Sequence, residues 1–100
     1  MIDLARIAGF DWDHGNARKT IDKHSVSQAE AEQVFIDVGI LIAEDFKHSE
    51  TEVRYQVLGR TIDGRRLHVT FTLRRNGSHI RVISAREMNR KERARYDEET

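Results

Sequence analysis

The apolar positions of this chain change period once, near residue 40. Before that point they recur at helical spacing. Asp13 is placed to cap a first helix over residues 13–23, with Trp12 anchoring its start and Ala17, Thr20 and Ile21 on one side. Ser27-Gln28-Ala29-Glu30 has the spacing of a capping box, in which the serine side chain accepts from the glutamate N–H and the carboxylate accepts from the serine N–H. A second helix follows, with Ala31, Val34 and Phe35 on its apolar side, Val26 as a hydrophobic staple and Gly39 beyond its end.

From Ile40 the period is two, which predicts strands over 40–46, 53–61, 66–73 and 79–84. Asp63-Gly64 and Asn76-Gly77 mark tight turns between the last three, so the four strands form an antiparallel meander. Along the third, Leu67, Val69, Phe71 and Leu73 share one face and Arg66, His68, Thr70 and Thr72 the other. Asn89-Arg90-Lys91-Glu92 repeats the capping-box spacing and starts a last helix, with residues 97–100 expected to fray. The fold class that follows is α+β: two N-terminal helices, a four-stranded antiparallel meander and a C-terminal helix. The apolar sheet face packs on the helices, and the other carries Arg54, His68, Thr70 and Arg81.

A chain of 100 residues suits a single domain over 1–100. It has no cysteine, which excludes disulfides, thiolate metal sites and thiol nucleophiles. The longest apolar run, 38–43, is too short to span a bilayer, and the opening residues lack the layout of a secretory signal, so the expected location is the cytoplasm. The net charge of zero conceals a polarity. Residues 1–52 hold eleven acids against five bases, a net of −6, and residues 53–100 reverse it to +6. Such a chain suits a protein with a positive face for a polyanion. It equally suits a self-complementary fold whose acidic helices neutralise a basic sheet.

Candidate chemistry narrows by exclusion. His24, His48, His68 and His79 are dispersed, with no metal-ligand spacing, so no metal or other cofactor is expected. His68-Val69-Thr70-Phe71 matches one copy of the His-x-Thr-x element of two-histidine phosphoesterases, which need two copies. Neither a nucleophile elbow nor a Gly-rich phosphate loop is present. Arginines with histidine and glutamate nearby fit cleavage of RNA, where the ribose 2′-OH attacks the neighbouring phosphate. The protein then supplies a base, an acid and cations. The competing class is a non-catalytic module that binds nucleic acid or protein through the same basic face.

Several stretches form an ordered set along nearly the whole chain. They are Phe10-Asp11-Trp12-Asp13, Gly15-Asn16 with Lys19, Lys23-His24 with Val26-Ser27, Glu30-Ala31 with Val34-Phe35, and Glu44-Asp45. They continue through His48-Ser49 with Glu52 and Arg54-Tyr55, Leu58-Gly59, Phe71-Thr72, Ile80 to Arg86, Lys91-Glu92-Arg93 and Tyr96. In their order and spacing these stretches resemble the BrnT family of bacterial type II toxin–antitoxin toxins, and the resemblance implies a RelE-like ribonuclease toxin. It would be neutralised by a BrnA-type ribbon-helix-helix antitoxin, through which alone it would reach promoter DNA. It also implies a catalytic set of His24, His48, Glu52, Arg54, Arg81 and Arg86, with Lys19, Lys23, Arg54, Arg81 and Arg86 binding RNA. Within that set the arginines suit phosphate clamps, while His24, His48 or Glu52 would exchange protons. Plainer roles compete: Lys23-His24 as a helix C-terminal cap, Glu52 with Arg54 as a structural ion pair, and Tyr96 as a core anchor. Two positions depart from the family pattern. Ser25 stands where a glycine is expected, and His68 where an apolar residue is expected.

Overall fold

The computed structural model describes residues 4–13, 15, 25–48 and 52–100. The helix expected over 13–23 lies largely outside them, as do Lys19, Lys23 and His24. The described elements are β1 (Gly9–Phe10), α1 (Gln28–Gln33) running into a 3-10 turn (Val34–Ile36), β2 (Leu41–Glu44), β3 (Arg54–Arg60), β4 (Arg66–Arg74), β5 (His79–Glu87) and α2 (Arg90–Glu99). A second 3-10 turn, Phe46–His48, follows β2.

Both capping boxes form. Ser27 Oγ accepts from the Glu30 amide at 3.1 Å, and Glu30 accepts from the Ser27 amide at 3.1 Å. Asn89 and Glu92 exchange the same two bonds at 2.9 Å each. The last helix runs to Glu99 and does not fray at residue 97: Asp97 pairs with Arg66, and Thr100 Oγ1 donates to the Tyr96 carbonyl at 2.8 Å.

The expected meander is present, but the sheet has five strands in the order β1-β5-β4-β3-β2, and β1 pairs with β5 in parallel. Two residues, Gly9 and Phe10, are too few to show a period, so the hydrophobic pattern predicts no strand there. The strand expected over 79–84 extends to Glu87 through an irregularity: Thr70 pairs with Ser84 but Phe71 with Val82, leaving Ile83 as an extra residue.

The inner face meets α1 and its 3-10 extension in a core of Val26, Ala31, Val34, Val57, Leu67, Val69, Phe71, Ile80, Val82 and Ala85. Phe71 is its largest side chain and is fully buried, worth roughly 1.5–3 kcal/mol on area alone. Phe35 meets its ring edge-on at 5.0 Å, and Tyr55 stacks at 5.3 Å. The layers approach closely at Gly59, where a β-carbon would sit 2.4 Å from Val34 Cγ1.

The outer face is not polar throughout, contrary to the expectation of one open polar face. Leu58 lies on it beside Leu41, and α2 closes over Leu58 in a second cluster with Met88 and Tyr96, against whose edge the half-buried Leu41 packs. Tyr96 is the expected anchor, 3% exposed, and its hydroxyl donates to Asp37. Burial, then the Asp37 carboxylate, pushes that hydroxyl's pKa up to about 12, so it is no base at neutral pH.

Candidate active site

Three outward-facing rows cross the sheet. The first joins Arg54, Thr72 and Arg81; the second Gln56, Thr70 and Ser84; the third Leu58, His68 and Arg86. Strand spacing sets Arg54 and Arg81 about 10 Å apart, on either side of Thr72. Arg81 and Arg86 are five residues apart, so strict alternation would send them to opposite faces. The extra residue Ile83 restores the phase and returns both to the outer face. The apolar doublet Val82-Ile83, which breaks the alternation, was the visible signal of this bulge.

The first row carries a ring of charge. Arg81 donates to Asp13 Oδ2 at 2.5 Å and lies 3.7 Å from Asp11 Oδ1. Its pKa is raised by the Asp13 hydrogen bond first, with further help from the charges of Asp13, Asp11 and Glu52. Glu52 itself pairs with Arg74 at 2.5 Å. Thr72 is buried between the arginines and donates to the Val53 carbonyl at 2.7 Å, holding the β3–β4 register at the row's centre.

In the third row Arg86 makes a two-pronged contact with Glu92, at 2.8 and 3.0 Å. Burial pushes the Glu92 carboxyl up, but hydrogen bonds from Arg86 and the Asn89 amide outweigh it and hold the group below the ordinary carboxylate range. Glu92 therefore caps α2 and ties that helix to β5. His68 sits beneath it, 6% exposed, with Nε2 3.4 Å from Gln56 Oε1 and 3.8 Å from Glu92 Oε2. Burial, then the charge of Arg86, lowers its pKa, so the ring is neutral at pH 7.

Of the sequence-derived set, the structure brings Arg54, Arg81 and Arg86 to one face, with Glu52 at its upper edge. His48 closes the second 3-10 turn, and its side chain is outside the described atoms. What sequence reasoning missed are the carboxylates on the arginines: Asp11 and Asp13 on Arg81, and Glu92 on Arg86. No local pattern pairs residues 68 positions apart, and Glu92 was read only as a cap. Among the described residues, no group of three or more His, Cys, Asp or Glu is placed to hold a metal ion. No described helix is long and apolar enough to cross a membrane.

The fold has a solved counterpart. The 1.1 Å crystal structure of the Brucella abortus ribonuclease toxin BrnT superposes with a TM-score of 0.60, at 18% identity, over 82% of this chain and 97% of that one. Comparison with curated protein sequences finds no match. The family model described as ribonuclease toxin, BrnT, of type II toxin-antitoxin system matches residues 12–92, from Trp12 through Glu92 and so across all three rows. The class is therefore that of type II toxin–antitoxin toxins, which implies an antitoxin partner. Within that class, the chain belongs to the BrnT family of ribonuclease toxins.

Proposed function

We infer that the chain is a metal-independent endoribonuclease that arrests translation and growth until a BrnA-type ribbon-helix-helix antitoxin covers its outer sheet face. The observation that carries this reading is the phase shift at Ile83, which gathers Arg81 and Arg86 with Arg54 on one rigid surface. In the reaction the 2′-oxygen loses its proton to a base and bonds to phosphorus, while the 5′-oxygen leaves and takes a proton. The products end in a 2′,3′-cyclic phosphate and a 5′-hydroxyl. Arg54 and Arg81 grip the phosphate from two sides and bind the charge that grows as phosphorus becomes five-coordinate. Glu52, at the edge of the same row, or His48 or His24 exchanges the protons. Lys19 and Lys23 extend the RNA path. Arg86 adds positive charge from its clamp on Glu92.

A second reading has a specific observation behind it. Arg81 and Arg86 already hold carboxylates, as they would in a self-complementary binding module. The two readings part on one assay: purified chain with RNA in EDTA, wild type against Arg81→Ala, with circular dichroism on both. Losing one cation that acts in the transition state costs about 2–4 kcal/mol, or roughly a hundredfold or more in rate, with the fold kept. An Arg81→Ala protein that is folded and cleaves at the wild-type rate removes Arg81 from the mechanism. A wild type that does not cleave favours the binding module.

A further inference from the structure

On the outer face, α2 and the edge strand β2 stand apart, and a cleft of about 220 Å³ lies between them. Leu41 and Leu58 form its apolar side, Gln56 and His68 its floor, and Lys91, Glu92 and Arg95 its helix side. The floor is a fixed polar chain. Gln56 Nε2 donates to Asp45 Oδ2 at 3.0 Å, which turns Gln56 Oε1 toward His68. The tautomer that fits this arrangement has Nε2–H facing Gln56 Oε1, and Nδ1 is buried with no hydrogen-bond partner among the described residues. An unmet buried polar atom costs about 1–3 kcal/mol, so an apolar residue at this position would give the more stable fold. The histidine, held in place by Gln56, gives the cleft a polar floor where an apolar one would fold as well.

Glu92 completes the lining. Arg86 and the Asn89 amide occupy both acceptor sites of Oε1, and Arg86 takes one on Oε2, which leaves Oε2 able to accept another hydrogen bond. A ligand that matches this surface has a flat apolar ring, a donor at its edge and negative charge beside it. Those are the features of a nucleotide with an amino-bearing base. Gln56 is two residues from Arg54 along β3, about 7 Å, so the cleft continues the path on which a scissile phosphate would lie.

We propose that the cleft is a base-selecting subsite for the RNA substrate: it holds one nucleobase against Leu41 and Leu58, with the exocyclic amino group donating to Glu92 and the flanking phosphates on Lys91 and Arg95. This rests on the ribonuclease reading for its substrate, though not for its geometry. Adenine, guanine and cytosine carry the required donor. Uracil presents a carbonyl oxygen there, which meets the carboxylate as acceptor against acceptor.

Two measurements test it independently. Titration of the full chain with AMP, GMP, CMP and UMP, followed by NMR, should move the Gln56 side-chain amide and His68 ring signals, with UMP binding at least about tenfold more weakly than the best of the others. Ala43→Trp, which places an indole at the exposed mouth of the cleft, and Lys91→Glu, an exposed helix change that leaves the core untouched, should both weaken those shifts. On a mixed-sequence RNA, end-mapping should show a bias against uracil at one position near the cut, flattened by Ala43→Trp. The inference is overturned if no nucleotide moves the Gln56 and His68 signals, or if nucleotides bind while Ala43→Trp leaves the cutting bias unchanged. If the wild type cuts no RNA, the ribonuclease reading fails, and the titration alone decides whether the cleft takes a base.

Discussion

His68 joins the site to stability. Its buried ring faces Arg86, Glu92, Gln56 and, more distantly, Asp45, and its pKa lies below the ordinary 6.5. A histidine lowered in this way contributes stability that is complete above pH 6.5 and is lost as pH falls from there toward the folded value, because the unfolded chain takes the proton first. Glu92, held below 4.5, adds its own loss only when pH drops below that value. Urea unfolding of wild type against His68→Leu from pH 8 to 5 should show the wild type losing stability below pH 6.5, by up to about 1.4 kcal/mol per pH unit, relative to the variant. Parallel curves would mean that His68 titrates alike in both states. Asp13 gives a second residue-level test, since under the proposed function a substrate phosphate would replace its carboxylate on Arg81. Asp13→Asn should tighten RNA binding about two- to fivefold, the range of a half-exposed ion pair, as measured by fluorescence anisotropy. Weaker binding would mean that Asp13 orients the arginine. At this scale the sequence revealed which residues bear charge but not how they pair. Arg54, Arg81 and Arg86 stood out by type and position, whereas Glu52 came only from the family resemblance. The partners of Arg81 and Arg86 depend on contacts that only the folded topology creates.

The elements were more legible, because each carried its own local signal. The two capping boxes started α1 and α2 where the serine and asparagine stood, and the glycine turns at 64 and 77, with φ of +89° and +87°, closed the last two hairpins. Ser25, noted for standing in place of a glycine, adopts φ +55°, the left-handed conformation that a glycine would take without strain. What escaped were features without period. β1 is too short to alternate, the bulge at Ile83 interrupts the alternation of β5, and the helical cover over Leu58 turns an outward position into a second core. Gly59 tests the packing of element on element. A β-carbon there would lie 2.4 Å from Val34 Cγ1 and 3.0 Å from the Val34 carbonyl oxygen, and backbone yields little. Gly59→Ala should therefore cost about 1–3 kcal/mol in a urea melt by overpacking. An unchanged midpoint would mean that the 3-10 turn sits farther from β3 than described.

For the molecule as a whole, the charge polarity of the chain resolves into pairing across the fold. Acids of the first half meet arginines of the second in Glu30 with Arg65, Glu52 with Arg74, and Asp11 and Asp13 with Arg81. Under the proposed function both meanings of the polarity hold together: the fold neutralises its own cations at rest, and an RNA phosphate would compete for the same guanidinium groups. An antitoxin with acidic side chains would compete in the same way, excluding RNA by occupancy without unfolding the toxin. The central claim is that the outer face promotes attack by the substrate's own 2′-OH with no metal ion. The most direct measurement uses an RNA oligonucleotide of known cut site beside the same strand carrying a single 2′-deoxy nucleotide 5′ to that phosphate, both in EDTA. The account predicts that the all-RNA strand is cut to a 2′,3′-cyclic phosphate and that the substituted strand is left intact at that bond. Cleavage of the 2′-deoxy strand at the same bond, or loss of all cleavage on chelation, would contradict it.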